Sequence, residues 1–358
     1  MKTGIVNLPL HSGKAPPWLF KRMVKLARAI TDVLCYEYGK NEFLKRISDP
    51  FWFQAFSCVL GYDWHSSGTT TVTCGALKMA LKPEECGIAV LGGKGATSRK
   101  VPTEIDALAE KFSFSDSKIK ELKKASKLSA KVDSAVLQDG YELYHHSFIV
   151  SENGEWAVIQ QGMNTENKYA RRYHWLKPKS FVCEPHAAIC CDSVGKVLNM
   201  TAKESEEARK CSVDLINDNP SHLKSILVSL SGQTTLSNFD LPVLNFPKGH
   251  WMSMKNYTSL LDAHEFQPKN YEELISLSGI GAKSVRALAL ISNLVYGMEI
   301  SWRDPVKYSF AHGGKDGIPY PVDKPTMDKS ISILQEAIEK ARVGEKEKLF
   351  AIKRLRDF

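Results

Sequence analysis

Within DGYELYHHSFIVSENGEWAVIQQGMN, residues 139–164, side chains that move protons or hold metals lie close together in sequence. Tandem His145 and His146 are flanked by Glu142 and Glu155, and Gln160 follows. Imidazoles titrate near neutral pH and carboxylates coordinate hard divalent cations. Glu142, His145, His146, Glu155 and Gln160 therefore form a candidate centre for phosphodiester hydrolysis, with Glu142, Glu155 and His146 as ligands for Mg²⁺ or Mn²⁺. A complete Asp…Glu-x-Lys nuclease signature does not accompany them, and the same residues also read as ordinary interstrand polar groups. A second cluster, Cys183, His186, Cys190 and Cys191, has thiolate and imidazole ligands suited to zinc or iron–sulfur. Against a metal there, adjacent Cys190 and Cys191 would point to opposite faces of a strand, and AAICC reads as buried core.

NYEELISLSGIGAKSVRALAL, from residue 270, has the most informative spacing in the chain. Asn270 caps a helix with Glu273 three residues on, and Leu274, Leu277 and Ile280 form its apolar stripe. Gly279-Ile280-Gly281 turns the chain into a second helix opened by Lys283, Ser284 and Arg286. Glycines let backbone N–H groups approach a phosphate, and a helix amino end adds partial positive charge. This segment, residues 270–296, resembles the helix-hairpin-helix of DNA repair and recombination proteins. The resemblance implies backbone contacts from Gly279, Gly281, Lys283, Ser284 and Arg286 that hold DNA without reading bases. It also resembles the hairpin of base-excision glycosylases, in which a Schiff-base lysine follows the glycines and an aspartate assists. Lys283 and Asp323, in Pro321-Val322-Asp323, take those roles in this alternative, which requires no cofactor. Two departures count against it: forty residues separate the pair, and Lys-Pro-Thr follows the aspartate. An αα-hairpin with a tight Gly-x-Gly turn is the bland reading of the segment.

Three further stretches carry charge. KYARRYHWLKPK, residues 168–179, interleaves Lys168, Arg171, Arg172, Lys177 and Lys179 with aromatics. That combination suits single-stranded or distorted nucleic acid, while its bland reading is a solvated basic face with buried aromatics. GGKGATSRK, residues 92–100, places Lys94 in a glycine-rich loop, but Gly95 after the lysine departs from a Walker A loop. Asp63, His65, Ser66 and Ser67 could form part of an acid–base site, though their spacing argues for no particular reaction, whereas residues 307–328, with His312, Lys315, Asp316 and Asp323, read as a long loop of the kind that is more often functional than decorative.

Elements must position these groups. Residues 16–45 have helical apolar spacing, GIAVLGG reads as a buried strand, and 102–130 are charged and helical. YHHSFIV and EWAVIQQ read as a hairpin joined by Asn153-Gly154 in a type I′ turn. After Thr201 the pattern is helical. The expected fold is α+β: residues 1–200 a mixed α/β putative catalytic domain with a central β-hairpin, and 201–358 an all-helical DNA-binding domain. The 358 residues suffice for about two cores. A net charge of +8 permits an anionic partner without establishing one. Eight scattered cysteines and the absence of a signal-like or membrane-spanning run imply a cytoplasmic protein with no membrane partner.

HSSGTTTVTCGALK, AVLGGKGATSRKVP, GYELYHHSF, ARRYHWL and PVKYSFAHGGKDGIPYPVD resemble the uncharacterised domain-of-unknown-function family 763 over nearly the full chain. That resemblance implies no established activity. The leading expectation is a metal-dependent nuclease of repair or recombination type, acting on single-stranded, branched or damaged DNA. RNA is an alternative partner, and a non-enzymatic DNA-binding or scaffold protein is the third reading.

Overall fold

Asp49 and Ser115 show how local chemistry sets the elements: each accepts from backbone N–H groups of the helix it precedes, satisfying donors that have no intrahelical partner. The computed structural model describes residues 15–62, 67–191, 194–231, 257–306 and 324–356. Four helices come first: α1 (Pro17–Tyr38), α2 (Lys40–Ile47), α3 (Pro50–Leu60) and α4 (Ser67–Ala80), followed by a short α5 (Pro83–Cys86). Strand β1 (Ile88–Lys94) leads through a 3₁₀ turn, Gly95–Lys100, into α6 (Val101–Phe112) and α7 (Asp116–Lys131). A π-helical turn, Val132–Val136, extends α7. Strands β2 (Leu137–Gln138), β3 (Glu142–Ser151), β4 (Trp156–Asn164), β5 (Tyr169–Leu176), β6 (Ala188–Cys190) and β7 (Lys196–Asn199) follow. The remainder is α8 (Glu206–Asn217), α9 (Pro220–Ser231), α10 (Tyr257–Phe266), α11 (Tyr271–Ser276), α12 (Ala282–Leu294), β8 (Ser301–Arg303), α13 (Lys324–Lys340) and α14 (Glu345–Arg356).

An antiparallel five-stranded sheet, ordered β1-β3-β4-β5-β6, forms the centre, and a smaller sheet pairs β2-β7-β8. Successive strand residues point to opposite faces, and here both faces are covered. Phe148, Val150, Trp156, Val158 and Trp175 enter a core with α6–α8 and α10–α12. Ile149, Ala157 and Ile159 enter a second core with α1–α4, α13 and α14. That double burial explains the nearly continuous apolar runs in β1, β3 and β4, since an antiparallel sheet with one wet face would alternate.

The protein is α+β with a largely helical C-terminal region. Strand β8 interrupts the expected all-helical run by pairing with β7, and α13 and α14 return to pack on α1 and α3. Both cores therefore draw on both halves of the chain. The hairpin forms where Asn153-Gly154 places it, but its turn is not type I′. Of the turn residues only Gly154 has positive φ (+74°); its N–H bonds Ser151 O, and Ser151 N–H bonds Glu155 O. This is a type I turn closed by a left-handed glycine, which relieves strand splay with one extra residue. Within the basic stretch at 168–179, Arg171 and Arg172 are buried in the interior strand β5 together with Tyr173, His174 and Trp175, whereas Lys168, Lys177 and Lys179 are exposed.

Candidate functional site

The sheet is apolar toward the β3–β4 turn and polar toward the other end. Two adjacent residue rows cross it. Lys94, His145, Gln161, Arg172 and Cys190 are register partners on the face toward α3 and α4, and Gly93, His146, Gln160, Tyr173 and Ile189 are partners on the face toward α7.

On the α7 face the polar groups form a closed network. His146 Nδ1 bonds Gln160 Oε1 at 2.8 Å, and its Nε2 bonds Ser126 Oγ at 2.9 Å. Gln160 Nε2 donates to Asp133 Oδ2 at 2.6 Å, and Trp175 Nε1 donates to the same oxygen at 2.9 Å. His186 Nε2 lies 2.5 Å from Asp133 Oδ1. Asp133 sits in the π-helical turn, an irregularity common at functional sites. Burial depresses the His146 pKa, with Gln160 and Asp133 opposing. The Asp133–His186 pair has the form of an oriented general base: a buried carboxylate fixes one ring nitrogen of the network's least buried member. Further along the same face, buried Arg171 bonds Asp139 at 2.9 Å and Asp304 at 2.8 Å, and its guanidinium lies 4.5 Å from the Tyr141 ring centroid. Burial works against that cation, and the two carboxylates outweigh it, holding its pKa well above the ordinary value.

On the α3/α4 face the balance differs. Arg172 is fully buried; its Nε donates to His174 Nε2 at 2.9 Å, its Nη1 reaches Gln54 Oε1 at 3.5 Å, and Phe53 stacks against it at 4.5 Å. No carboxylate bonds it among the described residues, and burial lowers its pKa. Nearby, Gln161 bonds Thr70, Tyr144 and the Ser67 carbonyl. His145 bonds Ser147 at 3.0 Å, and burial, then His146 and Lys94, push its pKa down to about 3. Burial also pushes the Cys74 and Cys190 thiols up to about 12.

Several expected site residues are placed otherwise than the spacing suggests. Glu142 and Glu155 lie at opposite ends of the β3–β4 hairpin, roughly 30 Å apart at the usual strand rise. Glu155 pairs with Lys177 at 2.7 Å. His146 has both ring nitrogens occupied, and His145 points to the other face. The ligand set Glu142, Glu155 and His146 is therefore not assembled. Cys190 lies beside Arg172, Cys191 bonds Tyr141 Oη at 3.1 Å and His186 faces Asp133, so the cysteine cluster diverges. Among the described residues no three His, Cys, Asp or Glu side chains gather to hold a metal. Arg171 and Arg172 are buried and closed to nucleic acid, whereas Lys94 is exposed, 5.8 Å from the Tyr144 ring. Asp63, His65, Ser66, His312, Lys315, Asp316 and Asp323 lie outside the described residues. The residue spacing gave no functional signal for Asp133, Ser126 and Gln54; only their helical phase hinted at burial.

The 270–296 hairpin is built as two helices around a tight turn. Asn270 accepts from Glu273 N–H at 2.9 Å, and Glu273 reaches back to Lys269 N–H rather than to the cap residue itself. Gly279 has φ +81°, and a Cβ there would collide with Ser259. Gly281 opens α12 in extended conformation with no side-chain cap, and a Cβ added to it would meet nothing within 4 Å. Its neighbour Lys283 is exposed. Ser284 and Arg286 instead face inward: both are buried, and Arg286 Nε donates to Gln138 at 2.7 Å. Alpha-7 flanks the turn with Lys127, whose ammonium bonds Ser276 O at 2.7 Å, and Lys131, whose pKa falls through burial and then through Lys127.

A family model described as "Protein of unknown function (DUF763)" matches residues 4–322. No curated protein and no solved structure matches the chain. No helix among the described residues is long and apolar enough to cross a membrane.

Proposed function

The chain belongs to this family of proteins of unknown function, and we propose that it is a DNA-processing protein of repair or recombination type that holds the sugar-phosphate backbone at Ser278–Lys283. One observation carries the reading: the amino end of α12 is uncapped and sterically open at Gly281, beside exposed Lys283. Free helix-terminal N–H groups with partial positive charge are a ready phosphate site, and Lys283 adds a full charge. Lys127 and Lys131 on α7 raise the local potential further; their mutual repulsion is relieved by an anion. Such contacts grip any sequence, so recognition of a structure or lesion belongs elsewhere in the molecule. Backbone binding is the part of the expectation that the geometry favours. The metal-nuclease centre at Glu142, His146 and Glu155 lacks an assembled ligand set.

Binding of labelled single-stranded, duplex, branched and abasic DNA across a salt series tests this, with Mg²⁺ and EDTA arms to detect cleavage. Affinity falls steeply with salt, and Lys283→Ala lowers the salt slope by about one. Gly281→Val weakens binding while folding stability stays within about 0.5 kcal/mol, because its backbone is extended and its surroundings open. Salt-independent binding, or full affinity in both variants, sinks the proposal.

A further inference from the structure

Among the described residues no carboxylate bonds the buried cation of Arg172. A guanidinium does not shed its proton in proteins, so burial cannot neutralise it as it neutralises the nearby histidines. Among the described residues its partners are an imidazole, an amide oxygen, an aromatic ring and the Cys190 sulfur, none of them a carboxylate. The adjacent Cys74 and Cys190 thiols are held protonated by burial. Two buried donors on touching side chains also have no acceptor: Arg172 Nη2 and Gln54 Nε2. A buried unpaired charge costs several kcal/mol, and an unmade donor bond adds to that cost. Among the described residues no carboxylate bonds this cation, which leaves two buried donors beneath α3 for an anion.

We propose that Arg172 and Gln54 form an internal site for a phosphate group, one strand in from the β6 edge of the sheet and covered by α3. Arg172 Nη2 and Gln54 Nε2 would be the anion's donors, a guanidinium being the side chain best matched to an oxyanion. Phe51 of α3 packs on Ala188 and Cys190 of the edge strand β6, so on this proposal the ligand enters by parting that helix from the edge strand instead of crossing a core. The ligand is free phosphate or the terminal phosphate of a nucleotide chain. This site is separate from the hairpin, and neither reading depends on the other.

Thermal unfolding of the full chain in inorganic phosphate, against chloride at equal ionic strength, tests it; a 5′-phosphorylated dinucleotide and its unphosphorylated form separate the two sources. Phosphate at saturating concentration raises the Tm by about 5 °C. Arg172→Met abolishes the rise, and in chloride it unfolds no earlier than the natural chain, since removing an uncompensated buried cation relieves a cost. Gln54→Leu, which keeps the charge, weakens phosphate binding about tenfold. Lys283→Ala keeps the full rise, which separates this site from phosphate bound at the hairpin. No phosphate-specific rise, an equal rise in Arg172→Met, or an Arg172→Met chain markedly less stable in chloride would each overturn the proposal. A dinucleotide effect that needs the 5′-phosphate and exceeds that of free phosphate assigns the site to a chain end; the reverse assigns it to the free ion.

Discussion

Arg171 and Arg172 are neighbours on one strand, both buried, and they live in opposite electrostatic worlds. Arg171 is locked between Asp139 and Asp304, ties β5 to the loop before β3 and to the segment after β8, and has its charge cancelled within the chain. Arg172, one residue on and therefore on the other face, has an imidazole, an amide and a ring for company. The same contrast extends along both rows. Toward α7, Ser126, His146, Gln160, Asp133, Trp175 and His186 pass hydrogen bonds from one to the next. Toward α3 and α4, His145 Nδ1, Gln54 Nε2 and Arg172 Nη2 have no partner. A closed polar network rigidifies a core, whereas each unmet buried donor in an open one carries an energetic cost.

The contrast can be broken first at the arginines. Arg171→Met strands two buried carboxylates and is expected to cost about 3–5 kcal/mol in urea unfolding. Arg172→Met in phosphate-free buffer is expected to cost almost nothing. Equal losses in the two variants would erase the distinction between the faces. Next in size is Asp133→Ala, which removes the common acceptor of Gln160, Trp175 and His186 and is expected to cost about 3 kcal/mol. A loss below about 1 kcal/mol would mean that water enters and that the α7 face is not closed.

Acid sharpens the comparison further. His145, His146 and His174 are all held below the ordinary histidine range, chiefly by burial. Between an unfolded-state pKa of about 6.5 and the depressed folded values, the unfolded chain takes up protons that the folded chain refuses. Their contribution is complete above pH ~6.5 and is lost as pH falls, for His145 down to about pH 3. Each histidine adds up to ~1.4 kcal/mol per pH unit to that slope. Unfolding measured from pH 7 to pH 5 checks it, and replacing His145 and His174 by Gln removes about two thirds of the slope. A flat profile would show that these rings are hydrated. The smallest expected effect is at the hairpin, where Gly281→Val leaves stability nearly unchanged and alters only DNA affinity.

Some of this was legible before any coordinates. The β3–β4 hairpin followed from alternation and an Asn-Gly pair, and α11 and α12 from caps and apolar spacing. The separation of Glu142 from Glu155 was legible too, because nine strand steps at ~3.3 Å keep two carboxylates from sharing an ion. Likewise Ser284 lies four residues before Leu288, a helical phase that turns it inward. Other features had no local signature. Asp139 and Asp304 are 32 and 133 residues from Arg171, so nothing near KYARRYHWLKPK foretold that its two arginines would be buried.

By itself, then, the sequence determined the local elements, the capped and glycine-turned hairpin, and the exposure of Lys283, because these depend on interactions within a few residues. Only the tertiary structure decided which charges would be compensated. It placed helices on both faces of one antiparallel sheet, took β5 out of water on both sides, and brought distant carboxylates to Arg171 and, among the described residues, none to Arg172. Burial turns a charge from a solvated ornament into an energetic demand, and what meets that demand is set by long-range packing that spacing along the chain does not encode.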